Sequence, residues 1–478
     1  MACSVVECIA AQAAVRPEQA ALIIGKDTYT YAHLWCGVRA AARALKKQGA
    51  GNTLLLPAAK DFTTICFYFG AHLAGVTTLP VDTHITPDGV SALLKRIPVS
   101  ACMAGKHAVD GLVRIETFSE TDVETELSPV SFPAADNVAD LMFTTGTTGE
   151  PKCVPLTQGN IYASACNINE FIGNQAGEKE IIALPLCHSF GMGRLRCLLV
   201  AGGTAILLPN FGNERKVLRT LQESGAVGFA MVPSAWQYLK HLCGERFAAA
   251  AAGLRYIEFG SAPLPLSDKQ WLMEKLPNTR LCMHYGLTEA SRSCFIEFHA
   301  ESAHLETVGK PSPHTEIAIY AENGTRLGEN EVGEVCVKGA HVMKGYLNLP
   351  AQESFFDGFF RTGDMGYVDA EGYIHLAGRL KEIINTGGKK VSPNEVEEWI
   401  DQYHGVRESA CISASDPEGI LGEVVKACIV WEGEADEDGL RRFLREHLEP
   451  HKQPRLYCVM ETPLPRTESG KLQRQKLR

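Results

Sequence analysis

Behind the apolar run Leu141, Met142 and Phe143, the chain places Thr144, Thr145, Gly146, Thr147, Thr148 and Gly149 in unbroken succession, then Glu150, Pro151 and Lys152. Such a loop can turn several backbone N–H groups and hydroxyls onto one anion, because glycine tolerates close approach and positive φ while threonine adds donors. Lys152 would add a full positive charge, so the segment reads as a phosphate cradle. Glu150 and Pro151 separate Gly149 from Lys152, so the spacing G-x-x-x-x-G-K-[ST] is absent and a P-loop nucleotide hydrolase is disfavoured. On composition alone the same string could be a flexible polar turn.

Five further strings follow in order: "GSAPLP" from Gly260, "MHYGLTEAS" from Met283, "FRTGD" from Phe360, "GRLKEIINTGGKKVSPNEVE" from Gly378 and "PRTESGKLQR" from Pro465. Together with "FTTGTTGEPK" this series closely resembles the adenylate-forming superfamily, which includes acyl- and aryl-CoA synthetases, adenylation domains and luciferase-like enzymes. The resemblance spans nearly the whole chain. It implies a two-step reaction in which a carboxylate attacks the α-phosphate of ATP, releasing pyrophosphate, and a thiol then displaces AMP from the acyl-adenylate. Joining two anions calls for cations and hydrogen-bond donors where charge gathers, which is electrostatic work more than acid–base work.

Residue by residue, the resemblance makes Thr144, Thr145, Gly146, Thr147, Thr148 and Gly149 with Lys152 a β,γ-phosphate cradle, Glu289 the Mg²⁺-binding carboxylate and Thr288 an α-phosphate contact. Gly260, Ser261, Ala262 and Pro263, with His284, Tyr285 and Gly286, would wall the adenine and acyl pockets, Tyr285 stacking on the base. Asp364 matches the ribose-binding carboxylate and Arg379 an arginine that reaches ribose and phosphate. Lys471 matches the lysine that bridges the attacking carboxylate and the α-phosphate; read without the resemblance, it belongs to a basic tail with Arg466, Arg474, Lys476 and Arg478. In the family a small C-terminal domain rotates between steps, which would put Lys381 at the hinge and leave room for a pantetheine arm at Gly387 and Gly388.

Amino-acid-activating relatives carry an Asp near the fourth motif. Here that region reads "LPLCHSFGMGRL", with His188 and no acid, which resembles the fatty-acyl and aryl-CoA ligases and puts His188 at the acyl pocket and thiol channel. Trp236 is either a pocket wall or plain core. Arg292 could meet a second substrate carboxylate or serve as an ion-pair partner. Cys153 stands where the family commonly has Gly, a departure that bears on the geometry of the loop. The resemblance thus implies an AMP-forming acid:CoA ligase using ATP, Mg²⁺ and CoA. Two alternatives stay open: an enzyme loading a carrier-protein phosphopantetheine, and a nucleotide-binding regulator without catalysis.

The elements that must position these residues follow from composition and periodicity. The chain has 478 residues, 45% of them hydrophobic and 21% charged, so it is a folded globular protein of two or three domains. Its net charge of −10 offers no global field for nucleic acid or anionic lipid, which favours a small-molecule partner. The 16 cysteines form no C-x-x-C pair and read as reduced core thiols. With no basic start to the N-terminus and no apolar stretch long enough to span a bilayer, the expected location is cytoplasmic.

Helical and strand patterns alternate, as in the stripe Leu34, Val38, Ala41 and Leu45 followed by the strand "NTLLLP". That alternation predicts an α/β fold: a large N-terminal domain, residues 1–379, of mostly parallel helix-flanked sheets, and a small mobile α+β domain, residues 380–478. In the latter a helix is expected from Pro393 to Tyr403, strands near Ser409–Ile412 and Val424–Trp431, and a helix at Glu437–His447.

Overall fold

The computed structural model describes residues 4–105, 108–118, 130–144, 152–380, 382–387, 389–466 and 472–477. By contact density the chain forms two compact units, Met1–Ile317 with Val337–Phe360, and Ala318–Cys336 with Arg361–Arg478.

At the centre of the first unit's nine-stranded sheet, the strands Ala20–Ile24, Thr204–Leu207, Lys179–Ile182, Gly228–Met231, Tyr256–Phe259 and Arg280–Tyr285 run parallel. Thr204–Leu207, Gly228–Met231 and Tyr256–Phe259 are buried at every position, as strands covered on both faces must be. The edges turn antiparallel, with Asp27–Thr30 at one side and Cys294–Glu297 followed by Lys310–Pro311 at the other. A six-stranded sheet repeats the scheme, its parallel strands Val113–Ile115, Ala101–Met103, Thr53–Pro57, Thr77–Val81 and Val138–Thr144 closed by antiparallel Lys152–Thr157. The helix Tyr31–Lys47 buries the expected stripe of Leu34, Val38, Ala41 and Leu45.

In the second unit, Val406–Ser415 and Glu423–Trp431 pair antiparallel and Leu456–Val459 adds a parallel third strand. The helices Pro393–Ile400 and Glu437–His447 bury Val396, Ile400, Leu440 and Leu444 in one core with Cys411, Val425 and Ile429. Each begins on a side-chain cap, Ser392 Oγ accepting from Glu395 N and Asp436 Oδ1 from Gly439 N. The first helix stops at Ile400, three residues before the expected Tyr403, where the chain turns toward Val406. This is the α/β class expected from the sequence. The described cysteines form no disulfide with one another and are mostly buried, and among the described residues no helix is long and apolar enough to cross a membrane.

Candidate active site

The strand Arg280–Tyr285 brings His284 and Tyr285 to its end, and a tight turn follows in which Leu287 and Ala290 exchange backbone hydrogen bonds of 3.0 and 3.2 Å. Thr288 and Glu289 occupy its tip. Gly286 is required there, since a Cβ would come within 2.4 Å of the Arg292 amide nitrogen. Three contacts stitch residues 340–347 beside this turn: Met343 N donates to Glu289 O at 2.9 Å, Ala290 bridges Val342, and Leu347 N donates to Cys153 O at 3.0 Å. Asn160, reciprocally capped with Thr157 at the start of the helix Gln158–Ile172, donates to Ala340 O and Val342 O, both at 2.8 Å.

The product of this stitching is a coupled triad. Tyr346 Oη donates to Glu289 Oε1 at 2.7 Å, and Lys152 Nζ lies 4.4 Å from the centre of the Tyr346 ring. The expected phosphate lysine and metal carboxylate therefore share one tyrosine, which orients the carboxylate through its hydroxyl and holds the ammonium over its face. Sequence reading missed Tyr346; its only signal is the adjacent "KGY" string. Cys153 lies in the strand Lys152–Thr157 with its side chain in an apolar cluster beside Leu55, Leu79 and Leu141, so a core-facing strand position accounts for the missing glycine. Of the cradle, Thr144 ends the strand Val138–Thr144 opposite Lys152, while Thr145, Gly146, Thr147, Thr148 and Gly149 lie outside the described residues.

Gly260 follows the strand Tyr256–Phe259, and a Cβ there would meet His284 Cε1 at 2.0 Å. His284 has nowhere to retreat, packed edge-on against Phe190 at 4.6 Å with Nδ1 2.7 Å from Glu258 Oε1. Gly260→Ala is therefore expected to cost about 1–3 kcal/mol by overpacking, read as a lower unfolding midpoint. Adding His284→Ala should recover most of that loss, and a double variant no more stable than Gly260→Ala would refute the clash. Ser261 takes a positive φ of 75°, so the segment Gly260 to Pro263 turns sharply off the sheet. His188 stands exposed at the start of the helix Ser189–Ala201.

Behind His284 lies a cluster the sequence did not announce. Glu258 Oε1 takes Arg292 Nε at 3.2 Å as well as His284, Glu258 Oε2 lies 3.2 Å from Arg194 Nη1, and Arg194 Nε donates to Glu180 Oε1 at 2.8 Å with Tyr256 beside both. Burial pushes the Glu258 carboxyl up, but Arg292 and Arg194 outweigh it and hold Glu258 well below the usual carboxylate range. Burial lowers the His284 pKa, favouring its neutral form. Arg292 is 2% exposed and also donates to Ser189 O and Phe190 O, so of its two expected roles the structure assigns ion pairing. Trp236 is likewise core, fully buried among Phe247, Phe259 and Trp271.

A small cavity of mixed lining between the helices Gln158–Ile172 and Ser189–Ala201 brings Ser189, Arg196, Thr288, Ser291 and His341 together with Leu156 and Ile161. Burial lowers the His341 pKa from 6.5 to about 4. As pH falls from 6.5 toward 4, the unfolded chain takes up a proton that the folded one refuses, so stability falls across that window. We expect about 2 kcal/mol of loss from this group between pH 7 and pH 5. It would appear as a drop in denaturation midpoint larger in the wild type than in His341→Gln, and equal drops would refute it.

In the second unit, antiparallel pairing of Phe359–Val368 with Ile374–Arg379 sets Asp364 opposite Arg379, with Arg379 Nε 2.7 Å from Asp364 Oδ1. Thr362 Oγ1 accepts from Asp364 N at 3.0 Å, and Glu334 holds both the Arg361 guanidinium and Gly363 N. Gly387 turns between Ile384–Thr386 and Lys389–Val391 at a φ of 59°, where a Cβ would come within 2.8 Å of Leu421. Lys381, Gly388 and Lys471 lie outside the described residues.

A family model described as AMP-binding enzyme matches residues 9–347, and one described as AMP-binding enzyme C-terminal domain matches residues 395–471. The chain belongs to this family. Among curated members it is 29% identical over 480 residues to the 2-succinylbenzoate–CoA ligase of Bacillus licheniformis, covering 98% of each chain. It is 34% identical over 379 residues to a long-chain-fatty-acid–CoA ligase of Bacillus subtilis, covering 77% of this chain and 67% of that one. Similar solved structures include ATP-bound MatB from Rhodopseudomonas palustris, with a TM-score of 0.89 at 25% identity over 99% of this chain and 98% of that one. The o-succinylbenzoate CoA synthetase of Bacillus subtilis in complex with its acyl-adenylate aligns with a TM-score of 0.86 at 27% identity, over 98% and 97%.

Proposed function

We propose that the protein activates a fatty or aromatic carboxylic acid with ATP and transfers the acyl group to CoA. The observation that carries this reading is the Lys152–Tyr346–Glu289 triad, which sets a cation and a carboxylate on one tyrosine beside the Thr288 turn. In the first step a carboxylate oxygen of the acid bonds to the α-phosphorus and pyrophosphate leaves. In the second the CoA thiol sulfur bonds to the acyl carbon and AMP leaves.

Lys152 and the residues from Thr144 to Gly149 would hold the departing phosphates, Thr288 the α-phosphate, and Asp364 with Arg379 the ribose. Glu289 fits a magnesium ligand: its carboxylate is 5% exposed and Tyr346, a neutral donor, leaves its charge in place. Magnesium, when bound, would neutralise phosphate charge. Lys471 would bridge acid and α-phosphate, and His188 would border the thiol channel. Residues 380–478 would move as a lid about Lys381, with Gly387 and Gly388 lining the pantetheine path. CoA is preferred to a carrier protein because the named relatives are CoA ligases. ATP and CoA as substrates suit a cytoplasmic enzyme.

The test is ATP–pyrophosphate exchange with Mg²⁺ across fatty, aromatic, dicarboxylic and amino acids, followed by AMP release on adding CoA. Exchange with a fatty or aromatic acid and CoA-dependent AMP release are expected. Absence of exchange with every acid would sink the reading.

A further inference from the structure

We propose that the acyl pocket is closed at its inner end by the Glu258–Arg292–Arg194 cluster, so that the protein takes compact carboxylic acids and excludes long alkyl tails. This rests on the reading above of Gly260 to Pro263 and His284 to Gly286 as pocket walls.

Among the described residues, what lies directly behind those walls is a stack of buried polar groups. The His284 ring fills the space over Gly260 and touches Glu258 on one side and Phe190 on another. Arg292 runs from Glu258 to the carbonyls of Ser189 and Phe190, and its Nη1 stands where a Cβ on Gly193 would approach to 2.6 Å. Arg194 continues the stack to Glu180 and Tyr256. Glu180, Glu258 and Arg194 are 0% exposed, Tyr256 1% and Arg292 2%. The opposite face of the same strand offers no other route, because Ile257 and Phe259 point into a second core with Trp236 and Phe298.

The cluster is neutral in itself, two carboxylates against two guanidiniums, and both Glu258 oxygens face arginine. It therefore closes the space and recruits no substrate charge. An alkyl tail extending past His284 would have to break apart ions that are buried on every side, whereas each methylene gains only the modest benefit of leaving water.

The experiment is ATP–pyrophosphate exchange by the full chain with acetate, butyrate, hexanoate, benzoate, dodecanoate and palmitate. The expected kcat/KM is highest for one of the four compact acids and at least about a hundredfold lower for dodecanoate and palmitate. Dodecanoate or palmitate matching the best compact acid would overturn the plug while leaving the ligase reading intact. Exchange with none of the six but with a dicarboxylic or amino acid would overturn this inference alone, and exchange with no acid of either panel would overturn the ligase reading with it. The paired variant Glu258→Ala/Arg292→Ala removes one charge of each sign and opens the floor. If it folds, its preference should move toward longer acids by about tenfold or more, and an unchanged length profile would overturn the proposal. If it does not fold, the wild-type series decides alone.

Discussion

Glu289→Gln is expected to lower the rate of pyrophosphate exchange about a hundred- to a thousandfold, the scale on which one preorganised electrostatic contact matters to a charged transition state. The substitution isolates charge from shape. A glutamine has the same length, and its amide oxygen can still accept the 2.7 Å hydrogen bond from Tyr346, so the turn bearing Thr288 should survive. What disappears is the negative charge that would hold a hard cation at the phosphates. The Mg²⁺ concentration for half-maximal exchange should rise as well, and the denaturation midpoint should hardly move. Tyr346→Phe is the complementary variant: it keeps the Glu289 charge and the ring beside Lys152 but removes the hydroxyl, and about a tenfold loss is expected from one misdirected carboxylate. Wild-type exchange by Glu289→Gln would remove Glu289 from the active site.

The candidate residues that could be read in the sequence are those in which the chemistry sits in one continuous string. Thr288 and Glu289 share a turn of four residues, and Asp364 sits within "FRTGD", so residue type and neighbours announce them together. The helix Glu437–His447 was equally plain, because its cap and its apolar period are both local. What could not be read depends on partners far apart in the chain. Glu180, Arg194, Glu258 and Arg292 come from two strands, one helix and a turn, and nothing near any of them marks it as buried. Arg292 shows the limit well: one sequence allowed both a substrate contact and an ion pair, and only the approach of Glu258 from the adjacent strand decides. The antiparallel edges escaped for a related reason. Asp27–Thr30, Lys152–Thr157 and Cys294–Glu297 are short strands whose direction is set by the turns before them, and alternation of helix and strand carries no information about that.

That buried cluster also supplies the largest expected stability effect. Arg194→Ala should cost about 3–5 kcal/mol, because it strips the partner from two carboxylates that cannot reach water. Among the described residues, Glu180 would keep Tyr256 and Glu258 would keep Arg292 and His284, in a space where all of these residues are at most 7% exposed. The cavity left by the guanidinium adds to the loss, since Arg194 packs as a full core side chain beside Tyr256. Arg219→Ala provides the contrast: its pair with Glu223, 3.3 Å apart on one helix, is largely exposed, and removal should cost less than about 0.5 kcal/mol. The comparison is made by chemical denaturation of both variants at neutral pH. Similar midpoints would mean that the interior cluster is hydrated and cannot serve as the dry ionic floor proposed for the acyl pocket. A large gap, accompanied in Arg194→Ala by weaker pyrophosphate exchange, would tie the stability of the floor to the placement of His284. Glu258 touches both Arg194 and His284, so the charge that completes the core also holds the ring proposed as a wall of the acyl pocket.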